Sequence, residues 1–572
     1  MSTTPAPAVK ETKAQKSERL KAAKNPWNSW DEVREFARLG RDSVPAEWST
    51  YFRWWGVYTQ GDGKGVTGGA NGEGKATEYF MMRIGLPNGL LTSQQLRVVG
   101  HLAKKYANNL ADITTRQNIQ FHWLTLSGLV EVVDALSAVG LSSKSACGDV
   151  VRNVTGCPLA GLDSHEIIDA SPLSVEIAHH LQANPEFYNL PRKFKISVSG
   201  CPIWCTYPEI NDLALTAIKR TINGAEEIGY TLRVGGGLST EPHIAERIPA
   251  FIRQDQALEV VTAAVRIFRE QLDLRENRTR ARIKYLFMRF GWTAESFLAA
   301  LEEKLGYKLD PSPSPDNPPA DVYRDHIGIT PQRQPGLSAV GASVLNGRLS
   351  GDQLIKLADL ADKYGDGHLR NTVGQNIIIV NVPNRETAAL VVELNTLGLN
   401  VDVSPFWRGA VACTGTEFCK LAITETKGFN KWLVSELEER LPGFDQQIRL
   451  HVTGCTNSCG QHWIADIGLE GKKIKQNGVL TDAFFFCVGG SVGKYARPAR
   501  PLGYRAAAED VPAAIERLLN GYLEARTEGE DLRAYFDRTA DDALRAQLAG
   551  EIIEPVERDA PPVGAGRFAP GE

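Results

Sequence analysis

The sequence predicts an α+β protein built by internal duplication, in which each half consists of a small αβ unit followed by a larger one. One repeat aligns residues 88–119 with residues 346–377 without gaps. A second repeat aligns "SVSGCPIWC" (197–205) with "HVTGCTNSC" (451–459). Because both blocks recur in the same order, they indicate two pseudo-two-fold-related halves, and a cofactor could lie between them.

Each copy of the first block predicts a turn, a helix and a strand. Both copies begin with Asn-Gly, at Asn88 and Asn346, which favours a turn. The Leu and Tyr spacing in "LAKKY" and "LADKY" predicts an amphipathic helix, and "NIQFHWL" and "NIIIVNV" then predict strands. In the second block, Asp212 matches Asp466, and a "VGG" loop follows in both halves.

These boundaries predict seven segments. The Pro-rich stretch "DPSPSPDNPPAD" separates the halves as an exposed linker would, and the first 28 or so residues and the tail are expected to be poorly ordered or extended. The predicted segments are an N-terminal arm (1–75), a small unit (76–145), a larger unit (146–309), the linker (310–325), a second small unit (326–402), a second larger unit (403–555) and a flexible tail (556–572).

Composition excludes several classes of protein. A net charge of -4 and a pI of about 6.3 provide no global basic field for nucleic acid. No run resembles a membrane span or a secretory signal, so the chain is expected in the cytoplasm, where its nine cysteines would be reduced. The Gly-rich segment 61–74 lacks the strand and helix of a nucleotide-binding motif.

Four late cysteines form the strongest motif. Cys413 and Cys419 stand in C-x5-C spacing, and Cys455 and Cys459 in C-x3-C spacing. Four thiolates select zinc or an iron–sulfur cluster, and C-x5-C is wider than the usual zinc pairing. The spacing therefore favours a cluster, with zinc and disulfides as the alternatives.

The first half also carries cysteines, but we predict that it holds no cluster. Cys201 and Cys205 repeat Cys455 and Cys459, yet Pro202 and Trp204 fill the segment between them. The other two cysteines of the first half, Cys147 and Cys157, lie too far apart for a compact loop. In the second half, Cys487 stands in the apolar stretch "AFFFCVGG" and is expected to be an ordinary core residue.

"ACTGTEFCK" together with "GCTNSC" resembles the iron–sulfur signature of the sirohaem-dependent sulfite and nitrite reductases. The resemblance covers about residues 50 to 550 and the duplication. It implies ferredoxin-like small units, larger cofactor-binding units and a [4Fe–4S] cluster on the four cysteines. The Cys459 sulfur would also be the axial ligand of the sirohaem iron.

Sirohaem carries eight carboxylates, so its pocket needs positive charge and hydrogen-bond donors. "TTRQNIQFH" (114–122) resembles a stretch that lines this pocket in the family. Without the motif, His122 would be interpreted as a buried core imidazole and Arg282 equally well as a solvated helix charge. The sirohaem contacts that the resemblance implies are Thr114, Arg116, Gln120, His122, Arg192, Arg282 and Asn457.

"LPRKFKISVSG" (190–200) places Lys193 and Lys195 two residues apart in a β-like run, which sends both side chains to one face. By composition a solvated edge is the simpler interpretation. The resemblance instead implies that both lysines lie in the substrate site, with Arg83 and Arg152 as the arginines that bind a small oxyanion. Lysine and arginine suit proton donation and bidentate anion binding respectively.

The expected reaction is the six-electron reduction of sulfite to sulfide. Nitrite-reducing relatives tend to have Asn where this chain has Lys195, and Asn where it has Thr416. Against this, "GCPLAGLDSHEIIDA" (156–170) resembles the nitrite branch. Ferredoxin-dependent reduction of nitrite to ammonia is therefore the alternative, and a non-catalytic metal-bound interaction module is the alternative of another class.

With no flavin or nucleotide module in view, the resemblance implies ferredoxin as the electron donor to a monomeric enzyme. A basic patch of Lys420, Lys427 and Lys431 is its candidate surface. In "YFRWWGVYTQ" (51–60) the indoles are expected to pack on their own domain. Some relatives carry a Tyr–Cys thioether near the substrate site, for which Tyr58 and Cys157 are the candidate pair.

Overall fold

The computed structural model describes residues 11–60, 78–312 and 324–558. The Gly-rich segment 61–74 and most of the predicted tail, residues 559–572, lie outside the described residues. Within the described ranges no helix is both long and apolar enough to cross a membrane.

Between residues 11 and 60, the N-terminal arm is more ordered than the sequence predicts. The N-terminus of its first helix has a capping box, in which the Thr12 side chain accepts from the backbone amide of Gln15. The buried Lys21 ammonium donates to the carbonyl oxygen of Leu190 at 2.9 Å. These contacts fix this part of the arm to the first half, which corrects the expectation of poor order or extension for residues 11–28. The arm contains α1 (Lys13–Ala23), α2 (Trp30–Leu39), α3 (Trp48–Tyr51) and β1 (Val57–Thr59).

The two small units have the same order of elements, as the first repeat predicts. Asn88 and Asn346 take left-handed conformations, with φ of 55° and 57°, in the predicted turns. The first unit contains β2 (Phe80–Ile84), β3 (Leu90–Thr92), α4 (Ser93–Tyr106), β4 (Leu110–Ile113), β5 (Ile119–Leu124) and α5 (Leu126–Ala138).

In the first large unit, strands β6, β7 and β8 are parallel and the sheet continues antiparallel through β9 and β10. Helices cover the sheet and share its core. The unit contains β6 (Val151–Gly156), α6 (Ser171–Leu181), β7 (Phe194–Ser199), β8 (Leu213–Ile222), β9 (Ala225–Val234), β10 (Glu246–Arg253), α7 (Ala257–Glu270), α8 (Asp273–Glu276), α9 (Lys284–Arg289), α10 (Ala294–Leu305) and β11 (Asp310–Pro311).

The second half repeats most of this order, with β12 at the sheet position of β1, an additional helix α13 and no counterpart of β11. Its small unit contains β12 (Gly328–Pro331), β13 (Leu337–Ala342), β14 (Arg348–Ser350), α11 (Gly351–Tyr364), β15 (His368–Asn371), β16 (Ile377–Pro383) and α12 (Thr387–Thr396). Its large unit contains α13 (Pro405–Arg408), β17 (Ala410–Ala412), α14 (Lys427–Arg440), β18 (Leu450–Thr453), β19 (Ile467–Gln476), β20 (Val479–Val488), β21 (Arg500–Ala507), α15 (Val511–Ala525), α16 (Leu532–Arg538) and α17 (Asp541–Ala549).

The two small units exchange a strand. Their sheets have the orders β1-β2-β5-β4-β14 and β12-β13-β16-β15-β3, so each ends with a strand from the other half. Arg348 of β14 pairs with Asp112 of β4, and His368 of β15 pairs with Thr92 of β3. The units share one hydrophobic core, so the α+β duplicated architecture is confirmed and the halves are joined at their centre.

Candidate active site

The four late cysteines lie in two adjacent loops because parallel strands end at the same edge of a sheet. Cys413 follows β17 directly, and Cys455 follows β18, its parallel neighbour. The loops are tied together: the Ile423 amide donates to the carbonyl oxygen of Gly454 at 2.7 Å, and the Gly454 amide donates to Cys413 Sγ at 3.2 Å. The chain thus brings the thiols of both motifs to one place.

The electrostatics of these thiols show that they share one environment. Burial, together with the neighbouring Cys459, raises the pKa of Cys419 to about 12 and also raises the pKa of Cys413. Burial and the other three thiols raise the pKa of Cys455. All nine cysteines are described and unpaired, and only Cys459 is exposed. This geometry contradicts the disulfide alternative and leaves the Cys459 sulfur open to the space beside it.

A hydrogen bond to sulfur places the predicted residue Asn457 at the thiol group. Its Nδ2 donates to Cys455 Sγ at 3.5 Å. Asn457 therefore contacts the predicted cluster ligand Cys455 directly. Hydrogen bonds to the sulfurs are one means by which a protein tunes such a centre.

Opposite Cys459 lies a cluster of cationic side chains from the first half, which we call the basic centre. Arg83 and Arg152 both donate to the carbonyl oxygen of Ala146, each at 3.2 Å. Burial disfavours the charged form of Arg83, but the nearby Cys147 and Tyr58, together with Cys459, give it a net raised pKa. The basic centre consists of Arg83, Arg116, Arg152, Lys193, Lys195 and Arg282.

Arg116 is held by main-chain and amide oxygens. It donates to Asn211 Oδ1 at 2.8 Å, to the carbonyl oxygen of Ile196 at 3.0 Å and to that of Asn153, while its buried Nε has no partner among the described residues. Burial lowers the pKa of Arg116 to about 9. Thr114 stabilises the same turn, because its Oγ1 accepts from the backbone amides of residues 116 and 118.

Lys193 and Lys195 lie at the start of β7. Burial, with Arg282 and Arg192 nearby, lowers the pKa of Lys193 to about 7. Burial and Lys193 hold the pKa of Lys195 well below its ordinary value. Within the described ranges neither ammonium makes a hydrogen bond or an ion pair. Two adjacent half-buried lysines without a protein partner favour a bound anion, because its charge would stabilise their protonated forms.

Asp212 holds Arg282 and the backbone of Lys195 in place. The sequence showed only that Asp212 recurs as Asp466 and did not predict this function. Its carboxylate accepts from Arg282 Nε and Nη2, each at 2.7 Å, and from the Lys195 amide at 2.7 Å. The pair is buried, so the predicted residue Arg282 is an ion-paired group rather than a solvated helix charge. The signal for Asp212 was its match to Asp466.

Two predicted sirohaem residues lie one behind the other. Gln120 accepts from Arg83 Nη2 at 2.8 Å and donates towards Thr414 Oγ1 at 3.4 Å. His122 is fully buried, its Nε2 lies 3.1 Å from Asp112 Oδ2, and its ring stacks on Phe418 at 3.8 Å. Gln120 thus spans the two halves, whereas His122 supports it from behind.

Arg192 lies at the edge of the basic centre. It donates to Asp149 Oδ1 at 3.3 Å, and Arg278 binds the same carboxylate at 2.7 Å and 3.1 Å. Burial lowers the pKa of Arg192. It is thus held by a protein carboxylate in this structure.

The structure corrects the predicted pairing of Tyr58 with Cys157. The Tyr58 side chain hydrogen-bonds to Cys147, and burial, then Cys147, raises the pKa of the phenol. Arg83 Nη1 also donates to Cys147 Sγ, at 3.2 Å. Cys157 lies elsewhere, beside Cys205. The sequence could not separate the two cysteines, because no local pattern around Tyr58 indicates which of them the fold brings beside it.

The structure also corrects the predicted lysine patch. Lys427 is 4% exposed and lies 3.0 Å from Asp112, so it is an internal ion pair. Lys420 donates to Thr59 Oγ1 at 2.9 Å, and Lys431 is exposed. Leu421, two residues after Cys419, is 56% exposed. The surface nearest to the thiols is therefore partly apolar.

Four thiols of the second half lie together, and the exposed one, that of Cys459, faces the basic centre of the first half. This arrangement defines an oxidoreductase with an iron–sulfur site. The family model for the nitrite and sulphite reductase 4Fe-4S domain matches residues 147–309 and 404–552. The model for the nitrite/sulfite reductase ferredoxin-like half domain matches residues 72–139 and 330–397. The chain belongs to the sirohaem nitrite and sulfite reductase family.

Relatives of both substrate classes are similar along nearly the whole chain. The assimilatory ferredoxin-dependent nitrite reductase of Haloferax mediterranei is 36% identical, covering 92% of each chain. Sulfite reductase [ferredoxin] 1 of Mycolicibacterium paratuberculosis is 35% identical, covering 92% of this chain and 96% of its own. The structure of the Mycobacterium tuberculosis NirA protein matches with a TM-score of 0.88 and 35% identity, covering 93% of this chain and 97% of that one.

The family implies a [4Fe–4S] cluster and a sirohaem, and the residues present fit both groups. Four thiols with hydrogen-bond donors at two of the sulfurs suit the cluster. The basic centre carries more positive than negative charge, and the buried Nε atoms of Arg83 and Arg116 and the Oγ of Ser197 have no partner among the described residues. Such donors suit a macrocycle that carries many carboxylates.

Proposed function

We propose that the protein reduces sulfite to sulfide at the sirohaem, with electrons delivered through the [4Fe–4S] cluster. The observation that carries this proposal is the pair of half-buried lysine side chains at residues 193 and 195, which have no hydrogen-bond or ion-pair partner within the described ranges and lie beside two arginines, on the side of the molecule that Cys459 faces. When bound, the two metal groups supply the electrons and the iron to which the substrate binds. The polypeptide supplies charge and protons.

The arginines bind and orient the anion. Arg83 and Arg152 are fixed by the same carbonyl oxygen, so their guanidinium groups keep a constant separation. Arg83 is fixed further by Gln120. A planar guanidinium suits the oxygens of a small oxyanion, and a pre-positioned cation stabilises charge that develops as an S–O bond breaks.

The lysines supply protons. Reducing hydrogen sulfite to the hydrosulfide ion takes up six electrons and six protons and releases three waters. The low pKa of Lys193 makes its ammonium a stronger acid than an ordinary lysine, so it can donate near neutral pH and be reprotonated from water. Lys195, held by its backbone at Asp212, completes the relay.

The choice of sulfite over nitrite rests on Lys195 and Thr416. Nitrite-reducing relatives tend to have asparagine at both positions, whereas the stretch 156–170 favours the nitrite branch. Turnover of each anion, per sirohaem and with a chemical reductant, tests the proposal; a strong preference for nitrite would overturn it.

We propose ferredoxin as the donor, docking over the loop that follows Cys419. This is supported by the names of the relatives and by the exposed Leu421 between the basic residues Lys420 and Lys431. The double charge reversal of Lys420 and Lys431 to Glu should raise KM for reduced ferredoxin while leaving methyl-viologen turnover unchanged. Lys308→Glu, at a side chain that is 84% exposed in the first half, is the matched control.

A further inference from the structure

A second group of metal-ligand side chains lies in the first half, at the positions that correspond to the cluster loops. Cys157 follows β6 as Cys413 follows β17, and the loop after β7 carries Cys201 and Cys205. The sequence predicts a degenerate loop here. The structure adds a residue that the repeat does not contain, His326.

The ligand atoms of this group are close together. Cys157 Sγ, Cys205 Sγ and a His326 ring nitrogen all lie within 4.8 Å of one another, and all three residues are buried. The Cys201 thiol neighbours Cys157 but lies outside this group of three, and it donates to the carbonyl oxygen of Ile203 at 2.8 Å. In a tetrahedral site with Zn–S bonds of about 2.3 Å, two sulfurs lie about 3.8 Å apart. The spacing therefore suits one ion.

Packing alone explains the cysteines but not the histidine. Buried thiols often serve as small apolar groups, and here they pack among Leu159, Leu162 and Val380. His326, however, is 6% exposed, and neither of its ring nitrogens has a hydrogen-bond partner within the described ranges. An unpaired buried imidazole costs free energy, and a metal ion would satisfy it.

The segment that carries His326 is fixed on both sides. Arg324 forms an ion pair with Asp163 of the first half. Asp325 accepts from Arg408 of the second half at 2.8 Å and 3.0 Å. The imidazole is thereby held in place at the thiols, which is the preorganisation that a structural metal site requires.

We propose that Cys157, Cys205 and His326 bind one zinc ion, and that the neighbouring Cys201 becomes the fourth ligand by releasing its hydrogen bond to the carbonyl oxygen of Ile203. This site goes beyond the proposed function, because it is separate from the cysteines assigned to the cluster. Three thiolates and one Zn²⁺ leave a single negative charge, which Arg324 lies close enough to offset. The ion would join the first half to the segment that enters the second, and closing so long a loop stabilises the fold.

The holoenzyme, purified anaerobically and dialysed against EDTA, tests the site by elemental analysis. We expect about one zinc per chain in addition to the iron of the two redox groups. Zinc-edge X-ray absorption should show sulfur at about 2.3 Å and nitrogen at about 2.0–2.1 Å. Absence of zinc, or a zinc shell of oxygen only, would overturn the proposal.

Variants identify the ligands. His326→Gln and Cys205→Ser should each lower the zinc content by about tenfold or more while sirohaem and iron per chain stay constant. Cys487→Ser, at a buried cysteine outside the group, should keep its zinc. The assignment would be refuted if both ligand variants retained zinc. It would also be refuted if a non-reducing peptide map of the wild type contained a Cys157–Cys205 disulfide. If the variants fail to fold, the zinc-edge absorption spectrum of the wild type decides.

Discussion

Lys195 and Arg449 occupy equivalent positions in the two halves, and their amides donate the same hydrogen bond, to Asp212 and Asp466, each at 2.7 Å. Their side chains differ. Arg449 turns back to Asp466 at 3.0 Å, whereas Asp212 is bound by Arg282. One half uses this position for an internal ion pair, and in the other the Lys195 side chain has no ion pair within the described ranges.

This difference makes Lys195 the first residue to test. Lys195→Asn should lower sulfite turnover per sirohaem by about 10²-fold, the scale of a lost proton donor, and lower nitrite turnover much less. Both anions are measured with the same chemical reductant. Lys195→Ala with full sulfite turnover and normal sirohaem content would show that the ammonium has no role.

Asp212 should matter for cofactor retention. In Asp212→Asn, Arg282 loses its ionised partner while buried, a change that costs about 3–5 kcal/mol. We expect less sirohaem per chain and a lower Tm. Asp466→Asn is the matched variant in the other half: it should lower Tm similarly but retain the arginine arrangement of the basic centre, so equal sirohaem loss in both variants would contradict a specific role for Asp212.

The lysine pair predicts an alkaline limb in the pH profile. If Lys193 is the proton donor that we propose, its protonated form is the active one; burial and Arg282 lower its pKa to about 7, and carboxylates bound nearby would raise it. kcat/KM should therefore fall as pH rises, between about pH 7 and the ordinary lysine value of about 10.4. Nitrite is the better probe, because sulfite itself changes protonation near neutral pH.

Lys193→Arg is the matched variant for this limb. A guanidinium group stays charged throughout the range, so the limb should flatten even if the rate is lower. An unchanged limb would assign the titration to a different group. The apparent pKa belongs to the interacting lysine pair rather than to one residue.

Any thioether at Tyr58 should join Cys147. Forming it removes two hydrogens, so a tryptic map should contain a linked peptide pair two mass units lighter than its parts. Cys147→Ser should abolish the pair, and Cys157→Ser should leave it intact. Free Tyr58 and Cys147 peptides, or a link to Cys157, would contradict this prediction.

Repetition and spacing carried most of what the sequence could predict. The turns at Asn88 and Asn346 recur because both follow the same local rule, and the four cluster cysteines stand out by type and spacing. These are local patterns. Because these local patterns occur twice in the chain, comparing the chain with itself is enough to predict the order of its helices and strands.

Long-range pairing could not be predicted in the same way. Nothing near Tyr58 distinguishes Cys147 from Cys157, and Lys427 is like any surface lysine until Asp112 is placed beside it. His326 lies outside the repeated blocks, so its position at the first-half thiols depends wholly on tertiary structure. Each of these cases depends on residues brought together from distant segments.

The crossed edge strands have a consequence for how such a chain could arise and how it could be divided. A single half, made alone, would have a sheet that lacks its outermost member and a spare strand with no sheet to join. Two identical halves would satisfy each other by trading these strands, so an ancestral homodimer could have preceded the fused gene. For the same reason, a protease that cuts the connection between the halves should leave the two fragments bound together.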